Sequence, residues 1–109
     1  MKHAKLTDFT KGWFIGNFDP SLAKTEAVEV AVKRFRAGEH ESAHYHRIAT
    51  EYTAVISGHV LMFNEEWAPG DVIVAEPGDI TSFLALTDAV LTVVKLPGAP
   101  NDKYVVGRE

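Results

Sequence analysis

At 109 residues the chain has room for one hydrophobic core and not for two, so a single domain over residues 1–109 is expected. A net charge of -4 without a Lys/Arg cluster excludes the footprint a nucleic acid requires, and the 46% hydrophobic content is ordinary for a globular protein. The absence of cysteine excludes disulfides, thiolate-bound zinc and a thiol nucleophile.

In chain order, the N-terminal stretch MKHAKLTDFTKGWFIGNF has charges but no uninterrupted apolar run after them, unlike a signal peptide. No segment reaches the length of a membrane span, so a cytoplasmic protein without a membrane partner is expected. Trp13, Phe14, Ile15 and Phe18 form an apolar strand that either closes a sheet of its own barrel or meets another subunit. Pro20–Glu26 is the best helix candidate, one short turn with Asp19 as its cap. Glu26–Phe35 alternates Val28, Val30 and Val32 with Glu29, Ala31 and Lys33, the period of a half-buried strand. Glu39 and Glu41 read as a solvated face, and His40 and His59 as surface or turn residues.

Tyr52–Ile56 and His59–Phe63 flank Ser57-Gly58, which reads as a tight hairpin turn. Further turns are expected at Asn64-Glu65-Glu66, Ala68-Pro69-Gly70-Asp71 and Pro77-Gly78-Asp79. Strands at Val72–Ala75, Thr81–Leu86 and Ala89–Leu96 complete the series. Val, Ile, Thr and Phe dominate these runs, as pleated surfaces favour. Short strands at close spacing with Gly/Pro turns predict an all-β sandwich or small barrel. The tail after Leu96 is irregular and either crosses the surface or packs on a partner.

The chemistry concentrates in GEHESAHYHRIATEYTAVISG, residues 38–58. On a strand, residues i and i+2 share a face, so His44 and His46 project together while Tyr45 points away. The Arg47–Thr50 link lets Glu51 enter from the start of the next strand. Two imidazoles and a carboxylate on one side of an ion suit Fe, Mn, Ni or Zn in the divalent state, and spacing does not choose among them. The same residues would also serve as polar groups on a half-exposed strand.

The spacing from Gly38 through His44-Tyr45-His46 and Glu51 to Gly58 resembles the first motif of the cupin family. GDVIVAEPGDITSFLA, residues 70–85, resembles its second motif through Gly70, Pro77 and Gly78. The resemblance implies a double-stranded β-helix, the cupin jelly-roll barrel, holding a divalent transition metal on His44, His46 and Glu51. The family's usual fourth ligand is a histidine in the second motif, where this chain has Thr81. Glu76 and Ala85 also depart from the pattern. The fourth position is therefore left to solvent, substrate or another side chain.

Parity extends the list of residues that could line a cavity. With Glu51 inward, Thr53, Val55 and Ser57 follow it; with Thr81 inward, Phe83 and Ala85 do. Lys95 interrupts the apolar run VLTVVKLP, either to hold an anionic group or to carry its amine past apolar surface into water. Three functions are consistent with these residues. One is a metal-dependent enzyme of dioxygenase or isomerase type acting on a small molecule. Another is a non-catalytic module that binds a metal or small ligand, and the third a metal-free sugar epimerase using His with Tyr45 or Tyr52. Parity places both tyrosines off the ligand face. Because cupins commonly dimerise through their terminal strands, the resemblance also implies a homodimer.

Overall fold

The computed structural model describes all 109 residues and is almost entirely β-strand. The strands are β1 (Trp13–Ile15), β2 (Glu29–Phe35), β3 (His40–Tyr45), β4 (Thr50–Ser57), β5 (Val60–Met62), β6 (Glu65–Trp67), β7 (Val72–Ala75), β8 (Thr81–Ala85), β9 (Ala89–Leu96) and β10 (Tyr104–Val105). They form two five-stranded sheets, ordered β1-β2-β9-β4-β7 and β10-β3-β8-β5-β6, with antiparallel pairing throughout. Successive strands repeatedly cross from one sheet to the other, the winding of a double-stranded β-helix. No helix is long and apolar enough to cross a membrane.

The inner faces divide the barrel into two ends. Val55, Val60, Phe83, Ala85, Ala89 and Leu91 fill one end and are buried. At about 25 cal/mol per Å² of apolar surface removed from water, this packed end supplies the main drive for closing the sheets. The other end carries Glu29, Lys33, Glu51 and Lys95 from the first sheet, facing Glu41, His44 and His46 from the second.

Four expectations from the sequence need correction. The period of β2 is as expected, but its buried face carries Glu29 and Ala31 while Val28, Val30 and Val32 are half-buried. The interior at that end is polar, so the charged residues turn inward. Ser57-Gly58 is not a hairpin turn, because β4 and β5 belong to different sheets. Gly58 has φ of +81°, and a Cβ there would lie 2.0 Å from the Asp88 carbonyl oxygen, so the crossing requires glycine. Glu65 and Glu66 are strand residues. The turn is Phe63-Asn64, with φ of 51° and 59°, a two-residue loop of the primed type that suits right-twisted hairpins. Pro20–Glu26 is not helical but a series of bends, and Ala23 makes an isolated bridge to Ile15. Short 3₁₀ turns occur instead at Leu6–Asp8 and Thr10–Gly12.

Candidate metal centre

His44 and His46 lie at the end of β3, and both are buried. Their rings sit 5.7 Å apart at 77°, on the shared face that strand alternation dictates. Glu51 arrives from the second residue of β4 after the Arg47–Ala49 loop. One donor atom from each of the three residues falls within 4.8 Å of the others.

The imidazoles are oriented by backbone carbonyls. His44 Nδ1 lies 2.8 Å from the Ser42 carbonyl oxygen, and His46 Nδ1 lies 2.6 Å from that of Asp102. Each Nδ1 therefore carries the proton and donates it, leaving the Nε2 lone pair free to bind a metal. His46 Nε2 then faces Glu51 Oε2 at 3.3 Å. Two electron-rich atoms at that distance need a cation or a second proton between them. Bond lengths of about 2.0–2.2 Å place neighbouring ligand atoms of one ion roughly 3 Å apart, so this spacing fits a shared divalent metal.

Electrostatics favour the ligating forms. Burial holds the His44 pKa below its usual 6.5, against the opposing hydrogen bond to Ser42, so the ring is neutral at pH 7. Burial also acts to raise Glu51, but a proton on His46 Nε2, whose place a metal would take, and the charges of Lys95 and Lys33 outweigh it and keep the carboxyl below its usual range. A neutral His44 imidazole and an ionised Glu51 carboxylate are donors a divalent transition metal takes.

The tail that the sequence left unassigned holds this arrangement. Asp102 is buried and accepts the backbone N–H groups of Arg47, Ile48 and Ala49, all at 3.0 Å. These groups belong to the loop joining the two histidines to Glu51. Burial acts to raise the Asp102 pKa, but the three N–H groups overcome it and leave the carboxyl lowered. Tyr104 of β10 stacks on Tyr45 at 5.6 Å, with the Arg47 guanidinium 4.1 Å above the Tyr104 ring. This outer stack fixes β10 against β3 and so fixes Asp102. From the other side, Gly78 N–H donates to the His46 carbonyl at 2.8 Å, tying the second glycine-rich turn to the site.

Glu41 also turns into the cavity, contrary to its reading as a solvated face. Pairing of β3 with β8 shifts by one residue between Glu41↔Phe83 and His44↔Thr81. This bulge resets the alternation, so Glu41 and His44 both face inward. Lys33 Nζ binds Glu41 at 3.1 Å. Burial acts to raise the Glu41 pKa, but the charges of Lys33 and Lys103 hold it down.

Beside the triad lies a cavity of about 390 Å³, into which Glu29, Lys33, Glu41, Lys95, Asn101 and Lys103 project. Lys95 thus lines the cavity, whereas Thr53, Thr81 and Phe83 do not. Thr53 and Phe83 are buried in the packing beneath it. Thr81 stands opposite His44, but its hydroxyl donates to the Ser82 carbonyl at 2.7 Å and accepts the Phe63 N–H at 2.9 Å. It is committed to the β5–β6 turn rather than to a ligand position. Neither tyrosine reaches the cavity: Tyr45 stacks outside and Tyr52 is exposed. Sequence reasoning missed Glu41, Glu29 and Asp102. The charged alternation of β2 carried a signal for Glu29, but no local pattern marks the bulge or the tail.

No family model matches the chain, and neither does any curated protein. Solved structures do. One is an uncharacterised conserved protein with a double-stranded β-helix domain from Klebsiella pneumoniae, at 21% identity and TM-score 0.67, covering 78% of this chain and 74% of that one. Another is the DMSP lyase DddQ from Ruegeria pomeroyi, at 18% identity and TM-score 0.67, covering 94% of this chain and 55% of that one. A third is oxalate decarboxylase from Bacillus subtilis, at 20% identity and TM-score 0.64, covering 74% of this chain and 24% of that one. Mn(II) centres are described in that decarboxylase. At such identities the likeness is one of fold. The chain folds as a cupin-type, double-stranded β-helix domain.

Proposed function

We propose that the protein is a metal-dependent enzyme acting on a small molecule, with His44, His46 and Glu51 holding one divalent Fe, Mn, Ni or Zn ion. The observation that carries this is that one donor atom from each of His44, His46 and Glu51 lies within 4.8 Å of the others, with both Nδ1 atoms at hydrogen-bond distance from backbone carbonyls. A metal bound there supplies Lewis acidity toward a carbonyl, carboxylate or enolate oxygen of the substrate. The chain's own residues orient and screen the reactants. Asp102 and Ser42 fix the rings, Glu41 and Lys33 place a charged pair in the cavity wall, and Pro100, Asn101 and Lys103 of the tail line one side. Oxidative cleavage is preferred over isomerisation, and the manganese enzyme among the structural neighbours supports metal chemistry on this fold.

Elemental analysis of tag-free protein beside a His44→Ala/His46→Ala variant tests the ligand set. About one metal per chain, lost in the variant, is expected; equal metal content in both samples refutes it. Oxygen uptake with a panel of diols, keto acids and small thiols then separates oxidative cleavage from isomerisation.

A second reading, a non-catalytic module for a metal or small ligand, is favoured by Thr81, whose hydroxyl is engaged elsewhere and leaves only three protein ligands. Metal-loaded protein that binds but turns over none of the panel supports it.

A further inference from the structure

The first sheet places three charged residues in one row on its inner face. Glu29 of β2 pairs directly with Lys95 of β9, and Lys95 pairs directly with Glu51 of β4. Side chains so opposed are about 5 Å apart at Cβ, close enough for a lysine to bind either carboxylate. It binds neither, and no carboxylate oxygen lies within 4.0 Å of its amine.

Both carboxylates are committed elsewhere. Glu29 is buried and accepts the Ala99 N–H at 2.6 Å, and Glu51 faces His46. The Lys95 ammonium instead lies 4.9 Å over the Trp13 ring, in the wall of the cavity beside the metal ligands. Lys33, the neighbouring inward cation, is matched by Glu41 at 3.1 Å. A half-buried ammonium held by an indole face, with its two cross-strand carboxylates turned to other partners, makes no direct ion pair on the protein.

From this row we infer that the substrate is a small carboxylate monoanion, its carboxylate bound by Lys95 while an adjacent oxygen faces His44, His46 and Glu51. The inference rests on the metal reading of that triad. Phosphate esters fit less well. No arginine lines the cavity to grip a phosphate bidentately, and Glu29, Glu41 and Glu51 repel a dianion more than a monoanion. A volume of about 390 Å³ suits a small ligand.

The test uses the full chain loaded with Co(II), titrated calorimetrically with pyruvate, lactate and benzoate, each beside its neutral amide, and with inorganic phosphate. At least one carboxylate is expected to bind tenfold or more tightly than its amide. Lys95→Met, compared at equal cobalt loading, should weaken that carboxylate to the level of the amide, with amide affinity unchanged. Three results overturn the inference: no carboxylate preferred over its amide, a preference that survives in Lys95→Met, or phosphate outcompeting every carboxylate. The carboxylate-to-amide comparison in the wild-type chain stands even if the variant does not fold. Failure to take up cobalt refutes the metal reading instead, and the same titrations on metal-free protein then still read the role of Lys95.

Discussion

Asp102 is the residue on which most of the site's geometry depends. Its carboxylate satisfies three backbone donors of the loop between His46 and Glu51, while its carbonyl fixes the His46 ring. Asparagine would present an amide N–H group to at least one of those donors. Because an unsatisfied buried N–H costs about 1–3 kcal/mol, Asp102→Asn is expected to lower stability by about that amount in urea titrations. The effect carries a pH signature. The folded carboxyl has a pKa below the reference 3.8, so it stabilises the fold fully above that value. Stabilisation is lost as pH falls through 3.8 toward the lower folded value. The variant should therefore show a shallower loss of urea midpoint over that window, while Glu51 and Glu41 preserve the part that begins nearer 4.5. An identical slope in the two proteins would contradict the assignment.

Strands and their connections explain both what the sequence discloses and what it hides. His44 and His46 were legible because alternation holds over three residues of a strand, and Glu51 because its spacing is fixed by the loop between. The crossing at Gly58 was legible as a glycine but not as a change of sheet, since a two-residue hairpin and a crossing use similar residues. Changing it tests the difference. Gly58→Ala forces a Cβ onto the Asp88 carbonyl at positive φ and should cost more than about 1 kcal/mol in denaturant unfolding. A neutral effect would mean the crossing is looser than described. Glu41 was illegible because one extra residue in β3 turns it to the same face as His44, against simple strand alternation. The tail was illegible because Asp102 acts on a residue 56 positions away, a contact only the closed barrel creates. Removing residues 100–109 takes away Asp102 and β10 together and should weaken metal binding by about 10–100-fold, the usual consequence of losing a ligand's orienting partner. Metal titration by calorimetry gives the comparison, and unchanged affinity would free His46 from the tail.

Across the molecule, the barrel keeps one end apolar and builds the site at the other, so stability and chemistry draw on different residues of the same strands. The outer surface raises a separate expectation. Trp13 packs against the barrel's own core and β1 pairs with β2, so the N-terminal strand closes its own sheet. Three exposed apolar residues, Tyr52, Val72 and Val74, share the outer edge of the first sheet, where Tyr52 pairs with Val74 and Ala54 with Val72. If a second copy covers this face, Val74→Lys should convert a dimer to a monomer in light scattering, because a charged edge strand resists pairing. A wild-type monomer, or a dimer indifferent to this change, would remove β7 from consideration.

X-ray absorption of the metal-loaded full chain tests the three-ligand centre most directly. Two imidazole nitrogens and at least one oxygen in the first coordination sphere are expected, with one imidazole lost in His44→Ala and one in His46→Ala. A metal bound without imidazole, or an imidazole count unchanged by either substitution, would contradict the site.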